Sequence, residues 1–391
     1  MKLTNKEVFY IGGSAAFLVE STFQLMCARE TIHEFGIEDY HIVMATFEWD
    51  GPRNQQMIQA AEKWGFRMEQ TDMATVDFEA FFASDSTLDD TRKRYDRVFI
   101  GDSRSLNMLV IAADYARKEG IILSMDDGNA TICELNKLYH ISKPLYDWVG
   151  QYHWWVNKKA YTHKRHAIIN KLLQKGITYA NAFFTVFDDL NTDSFLIHRN
   201  SFHYLLSNLQ ADDTRNVGVV VIGTPLESVA KMYYTELDYI LTILRKHLQT
   251  IKSAYPGESI VYIPHPRDIN PRDKELCESL DVKYLPLGEP VESYVLTHAD
   301  GVKAVYGYGS TALIVLKKIL PQTHIENFEF SYGKNIKMET SREAINRYYR
   351  KSGMVVEHIV MPLTLAKTQD LGFWGNFRSL LNVLKRKIQK I

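Results

Sequence analysis

A histidine flanked by two prolines is the residue in this sequence best placed for chemistry. Ile260 to Ile263 is a β-branched and aromatic run that predicts a buried strand, and Pro264 and Pro266 end it because proline lacks an N–H. His265 then lies on a stiff turn at the carboxyl end of a strand, beside Arg267, where open α/β sheets bind ligands. An imidazole there can donate a hydrogen bond or a proton to an anionic leaving group, or it can simply cap the strand.

A pair of aspartates follows another predicted strand. Gly120 to Met125 is apolar and runs into Asp126-Asp127-Gly128. A carboxylate in a cleft can accept a proton from a hydroxyl, and adjacent carboxylates push their pKa values apart, which can raise one of them. The same motif is also typical of a plain strand-to-turn signal or of a site for a divalent cation.

A third motif, Gly309-Ser310-Thr311, comes between a predicted strand at Val302 to Tyr306 and a predicted helix at Ala312 to Ile319. Hydroxyl and backbone N–H groups at the start of a helix bind phosphate, aided by the helix dipole; the alternative is a simple N-cap. A carboxylate that faces phosphate-binding groups fits an enzyme that transfers a group from an activated phosphate donor to a hydroxyl.

The three motifs can form one site only if the secondary-structure elements bring the strand ends together. Strands alternate with helices along the chain, which indicates parallel sheets covered on both faces. The polar stretch from Ser207 to Val217 divides the pattern, so we predict an α/β protein with two Rossmann-like domains facing a central cleft, over residues 1–210 and 217–365. The first strand is expected at Glu7 to Ile11, before the turn Gly12-Gly13-Ser14. The dinucleotide pattern G-x-G-x-x-G is absent there.

Composition narrows the class of protein. The 391 residues carry a net charge of -1, so no global basic field favours a nucleic-acid partner. Three separated cysteines without a C-x-x-C motif argue against a disulfide framework or a zinc site and suit a reducing compartment. No apolar run reaches about 18 residues, so we expect a cytoplasmic protein without a membrane-spanning helix.

Two stretches suggest contacts outside the cleft. The tail over residues 366–391 contains an amphipathic, basic helical pattern from Phe373 to Ile391, typical of a helix lying on the inner face of an anionic membrane or of a terminal helix docked across the domains. Leu138 to Arg165 is rich in aromatic and basic residues, which fits a lid, a sugar-stacking surface or ordinary packing. Whether the chain forms a homo-oligomer is left open.

The ordered set of motifs resembles the bacterial sialyltransferases of glycosyltransferase family 52, which are related to the family 38 polysialyltransferases. Asp126-Asp127-Gly128 is similar to the family's acidic motif, and His265-Pro266 to its H-P motif. The remaining similar segments, spread over most of the chain, are Glu20-Ser21-Thr22-Phe23-Gln24-Leu25, with Phe23 where proline is commoner, Gly101-Asp102-Ser103-Arg104-Ser105, Pro290-Val291-Glu292 and Ser310-Thr311.

This resemblance implies a GT-B fold and an inverting transfer of sialic acid from CMP-sialic acid to a glycan or glycolipid acceptor, with no cofactor and no required metal. It implies that Asp126 is the general base, that Asp127 supports the turn and that His265 assists departure of the CMP phosphate. It also implies that the nucleotide lies against the following residues: Gly223, Thr224, Pro266, Arg267, Glu292, Gly309, Ser310 and Thr311.

Other functions stay open from the sequence. A transferase for another CMP-activated sugar such as Kdo, or an enzyme acting on another nucleotide sugar, would use the same architecture. A non-catalytic protein that binds a nucleotide or a glycan would also keep the fold, although the presence of both the acidic and the histidine motif favours an enzyme.

Overall fold

The chain folds into two parallel α/β domains. The computed structural model describes residues 4–9, 13–47, 51–84, 93–135, 162–187, 189, 194–208, 217–232, 235–268, 271–331 and 340–361. The predicted boundary near residue 210 falls between the last strand of one sheet and the first strand of the other. The domain limits predicted at residues 210 and 365 stay predictions, because residues 209–216 and 362–365 lie outside the described ranges.

The first domain contains seven strands: β1 (Ala15–Val19), β2 (Tyr40–Thr46), β3 (Met68–Asp72), β4 (Tyr95–Ile100), β5 (Ala116–Met125), β6 (Thr178–Thr185) and β7 (Leu196–Arg199). They form one sheet in the order β3-β2-β1-β4-β5-β6-β7, and every neighbouring pair is parallel. β1 is buried throughout, and β4 and β5 are buried over their carboxyl-terminal parts, where their sequences are apolar.

Helices cover this sheet: α1 (Asn5–Phe9), α2 (Thr22–Glu34), α3 (Gly51–Lys63), α4 (Phe78–Ala83), α5 (Leu106–Tyr115), α6 (Asn129–Leu135), α7 (residues 162–174) and α8 (His203–Ser207). Ser21 caps α2 and Ser105 caps α5 by accepting a hydrogen bond from a backbone N–H of the first turn. Both helices therefore begin directly after the strand-end loops that follow β1 and β4.

The second domain has six strands: β8 (Gly218–Ile222), β9 (Ile260–Ile263), β10 (Lys283–Tyr284), β11 (Val302–Gly307), β12 (His324–Ser331) and β13 (Val355–Val360). Their order is β10-β9-β8-β11-β12-β13, again all parallel. The helices are α9 (Leu226–Met232), α10 (Leu237–Ala254), α11 (Pro271–Ser279), α12 (Val291–Thr297), α13 (Thr311–Ile319) and α14 (Thr340–Lys351).

Both sheets reverse their strand order at the centre, between β1 and β4 and between β8 and β11. A crevice opens at such a reversal, outside the carboxyl ends of the strands. The loops after the central strands of the two domains meet there and line one cleft. Two Rossmann-like domains facing a central cleft confirm the predicted GT-B type of α/β fold.

The expected first strand is wrong. Residues 7–9 belong to α1, and the first strand begins at Ala15, after the glycine turn instead of before it. Thr4 and Glu7 explain the helix, because each side chain accepts a hydrogen bond from the backbone N–H of the other, at 3.3 and 2.7 Å. This reciprocal pair is a capping box, and it favours a helix over a strand at the apolar residues that follow.

The aromatic stretch at 138–165 and the basic tail at 366–391 lie largely or wholly outside the described residues, so their predicted roles stay predictions. Within the ranges that the structure describes, no helix combines the length and the apolar character that crossing a bilayer requires.

Candidate functional site

The cleft between the domains has a volume of about 330 Å³, within the range of small-molecule sites. Ten of the eleven predicted site residues line it: Asp127, Gly223, Thr224, His265, Pro266, Arg267, Glu292, Gly309, Ser310 and Thr311. The exception is Asp126. The sequence did not single out Arg53 or Gln56, which line the first-domain wall. They lie on α3, in a segment with no recognisable motif.

The two aspartates differ in their access to the cleft. Asp126 is completely buried, and its Oδ2 accepts a hydrogen bond from the backbone N–H of Val186 at 2.8 Å. Burial raises its pKa to about 7, although the bond from Val186 lowers it. Asp127 lines the cleft and keeps 20% of its side chain exposed. Asp126 therefore holds the turn from within, and Asp127 is the carboxylate that a ligand can reach.

Two side chains hold the Asp127 carboxylate from opposite sides. Gln24 Nε2 donates to Oδ1 at 2.7 Å, and Arg104 Nη2 donates to Oδ2 at 3.0 Å. The Gln24 amide is itself oriented, because its Oε1 accepts from the backbone N–H of Glu20 at 2.8 Å. A Cβ at Gly101 would overlap this amide, so only glycine leaves room for it. Both Asp127 oxygens are thus fixed in direction before any ligand binds.

The surroundings of Asp127 are acidic. Carboxylate oxygens of Glu20, Asp102 and Asp127 all lie within 4.8 Å of one another. Burial raises the pKa of Asp127 well above its ordinary value and the charge of Asp102 adds to this, while Arg104 lowers it. Arg104 also donates to Asp102 at 2.8 and 3.1 Å. Its guanidinium thus balances much of the negative charge at the position where a cation would otherwise bind.

The metal alternative considered for the aspartate pair does not match its geometry. Of the described residues, only the group of Glu20, Asp102 and Asp127 has a spacing compatible with a bound cation, and Asp126 is not part of it. Whether the reaction requires a metal stays a prediction, which chelation tests directly.

His265 lies where its flanking prolines predicted, directly beyond β9. Its Nδ1 accepts a hydrogen bond from the backbone N–H of Arg267 at 3.1 Å. In a neutral imidazole one nitrogen carries the proton and the other accepts, so the proton is on Nε2. The turn therefore selects the tautomer whose Nε2–H can donate to a ligand, and Arg267 comes with it into the cleft lining.

The motif at 309–311 makes contacts of two kinds. Ser310 is the N-cap of α13 and accepts from the N–H of Ala312 at 3.3 Å. Thr311 Oγ1 accepts from the N–H of Asn129 at 3.2 Å, across the cleft. Gly309 adopts φ of +64°, a left-handed conformation that glycine adopts without strain. The N-cap is thus observed, and phosphate binding by the same turn stays a prediction.

The remaining predicted residues lie on the second-domain wall. A Cβ at Gly223 would lie 2.5 Å from the hydroxyl of Tyr262, so only glycine fits where the chain after β8 packs against Tyr262. Glu292 lies in the first turn of α12 and is 96% buried, and burial raises its pKa to about 7. A buried carboxylate that lines a cleft is a strong acceptor for hydroxyl groups of a ligand.

The two walls are held together on both sides of the cleft. Asn129 donates to the carbonyl of Gly309 at 3.2 Å, and its own Oδ1 accepts from the hydroxyl of Tyr349 at 2.6 Å. On the opposite side, Gln56 Nε2 donates to the carbonyl of Leu287 at 3.0 Å. The structure therefore shows a closed cleft in which the turn carrying Asp127 touches the turn that begins α13.

Comparison with known proteins identifies no family for this chain. No family model and no curated protein matches it. Among solved structures, the GT-B domain of a sialyltransferase from Photobacterium damselae is 11% identical, with a TM-score of 0.44, over 88% of this chain and 100% of that one. The spinosyn forosaminyltransferase SpnP is 11% identical (TM-score 0.44; 89% and 82% covered). A putative UDP-N-acetylglucosamine 2-epimerase from Listeria monocytogenes is 10% identical (TM-score 0.43; 85% and 81%).

Proposed function

We propose that the protein is an inverting glycosyltransferase that moves sialic acid from CMP-sialic acid to a hydroxyl of a glycan acceptor, such as a surface oligosaccharide, lipooligosaccharide or capsule. One observation carries this proposal. A reachable carboxylate, Asp127, lines the first-domain wall of a cleft whose second-domain wall presents His265, Arg267 and the start of α13.

Asp127 acts as the general base in this proposal, in place of Asp126. The acceptor hydroxyl gives its proton to Asp127 while the hydroxyl oxygen forms a bond to the anomeric carbon of the donor. The raised pKa of Asp127, caused by burial first and by Asp102 second, suits a group that must take up a proton near neutral pH. The bonds from Gln24 and Arg104 keep its oxygens aimed at one position.

The second domain stabilises the leaving group. As the bond from the anomeric carbon to the phosphate oxygen breaks, its electron pair leaves with CMP. The Nε2–H of His265, the Arg267 guanidinium and the N-terminus of α13 supply positive charge and hydrogen-bond donors to that phosphate. Because the base and the phosphate binders occupy opposite walls, the acceptor attacks the face opposite the leaving group, which inverts the anomeric centre.

Three further residues complete the nucleotide site. We assign Glu292 to accept hydrogen bonds from ribose hydroxyls, because its carboxylate is buried at the cleft wall. Gly223 and Thr224 follow β8 and line the same wall. The proposal also includes peripheral binding of the basic tail to a membrane, which would bring a glycolipid acceptor near the cleft. Liposome binding of the protein with and without residues 373–391 tests this part.

The decisive experiment measures release of CMP from CMP-N-acetylneuraminic acid, with and without a panel of galactosides, in the presence of EDTA. We expect release that needs an acceptor and survives EDTA. Asp127→Asn and His265→Ala should reduce it by about 100-fold or more, within the range of acid–base contributions. Asp126→Asn is the matched control and should retain most of the activity, because that carboxylate does not reach the cleft.

Each other outcome has a distinct meaning. CMP binding without release would favour another CMP-activated acid such as Kdo, or an acceptor absent from the panel. Loss of activity in Asp126→Asn with retention in Asp127→Asn would restore the roles that the resemblance implied. Failure to bind CMP would contradict the proposed function.

A further inference from the structure

The cleft offers basic side chains on both of its walls, and the proposed phosphate site uses only one wall. His265 and Arg267 belong to the second domain, next to the start of α13. On the first-domain wall, Arg53 is the basic member among the described residues that line the cleft. Arg104 lies behind that wall and is engaged by Asp102 and Asp127. An anionic ligand with two charged groups would therefore meet one cation site on each wall.

The docking of α3 determines where Arg53 lies. Gln56 and Lys63 share a face of α3 with it and contact segment 287–289 of the second domain: Gln56 Nε2 donates to the Leu287 carbonyl, and Lys63 pairs with Glu289 at 2.8 Å. Arg53 is about one turn earlier on this face. Closure of the domains thus places its guanidinium at the cleft, at a position set by the nucleotide domain itself.

Glu20 is an acidic partner of Arg53 on the first-domain wall. Arg53 Nη2 lies 3.8 Å from Glu20 Oε1, longer than the 2.7–2.9 Å typical of a charge-assisted hydrogen bond. Glu20 in turn belongs to the acidic group around Asp127. Arg53 therefore lies beside the acidic group that contains the proposed base.

We infer that Arg53 binds the carboxylate of an acidic sugar donor and thereby selects acidic over neutral sugars; this inference rests on the proposed function. The carboxylate of such a donor sits on the anomeric carbon, which must lie between the base and the phosphate. The wall around the base is acidic, with Glu20, Asp102 and Asp127 close together. A second anionic group on the donor would be repelled there unless a cation received it.

The test distinguishes binding of the sugar carboxylate from binding of the nucleotide. Calorimetry would measure the affinity of the full chain for CMP and for CMP-3-fluoro-N-acetylneuraminic acid, a donor analogue that carries the sugar carboxylate and resists transfer. Arg53→Gln is expected to weaken binding of the analogue by about 10- to 100-fold while leaving CMP affinity unchanged. Arg53→Lys should give a smaller loss of the same selective kind, because it keeps the charge but not the planar fork.

Lys63→Gln is the matched control, since it lies on the same face of α3 but outside the cleft lining. It should leave both affinities close to those of the wild type, because the Lys63 side chain is 57% exposed and an exposed ion pair contributes little. Equal losses for both ligands in Arg53→Gln would show general loosening of α3 and overturn the inference, as would unchanged affinities. If Arg53→Gln failed to fold, Arg53→Lys would decide by the same comparison. Failure of the wild-type protein to bind CMP would refute the proposed function instead, so the two can be told apart.

Discussion

Replacing Gly128 by alanine is expected to push the two walls of the cleft apart. Gly128 adopts φ of +62°, where an alanine costs about 1–2 kcal/mol. The added Cβ would also lie 2.7 Å from the Cβ of Thr311. Two carbon atoms need about 3.5 Å, so the walls must separate by roughly 0.8 Å. Rotation of the Thr311 side chain gives no relief, because it leaves the Cβ in place.

This displacement acts on the residue next to the proposed base. A shift of about 1 Å in a catalytic group can reduce the rate by about 100-fold. We therefore expect Gly128→Ala to lower kcat/KM for acceptor-dependent CMP release by about 100-fold, and to increase the radius of gyration measured by small-angle X-ray scattering. The second measurement does not depend on the identity of the donor.

Gly36→Ala supplies the matched control. Gly36 has φ of +58°, and no atom lies within 4 Å of a Cβ built there. It should lose a similar amount of stability and keep the wild-type rate and radius of gyration. If Gly128→Ala also kept the wild-type rate and radius, the contact between the turns at 126–129 and 309–311 would not control closure, and the reasoning would be refuted.

Three further substitutions test other parts of the site. Gln24→Met should lower kcat by about 10-fold with unchanged CMP affinity, because it removes one donor to Asp127; an equal loss of CMP affinity would contradict this. The pKa of Asp126 is about 7 in the folded protein, against an ordinary value of 3.8. Between these two values the folded protein keeps the proton and the unfolded chain loses it. The free energy of unfolding therefore falls as the pH rises through this range. In urea denaturation, the free energy of unfolding of Asp126→Asn should rise by about 2–3 kcal/mol relative to that of the wild type between pH 5 and pH 8. A difference between the two proteins that stays constant with pH would mean that Asp126 ionises normally. Tyr349→Phe should cost about 1 kcal/mol by losing its bond to Asn129, whereas exposed Tyr239→Phe should cost less.

Strand positions were largely predictable because they depend on local properties. Ile260–Ile263 has the predicted bounds, since four β-branched or aromatic residues end at a proline. The strands before the aspartate pair and before the motif at 309–311 end within a residue of the predicted positions. Alternation of these strands with helices also predicted the parallel sheets. The missed helix α1 had a local signal too, the capping box of Thr4 and Glu7.

By itself, then, the sequence determined which polar residues follow which strands, and the two-domain α/β architecture that brings strand ends to a cleft. Only the tertiary structure decided which aspartate reaches that cleft. Successive side chains at a strand end point in opposite directions, and Asp126 is the one that turns inward to accept a hydrogen bond from the backbone N–H of Val186. Gln24 and Asp127 are 103 positions apart, and Arg53 gained its position when α3 docked on the other domain. Such contacts have no local signature, because they form only when segments far apart in the sequence pack together.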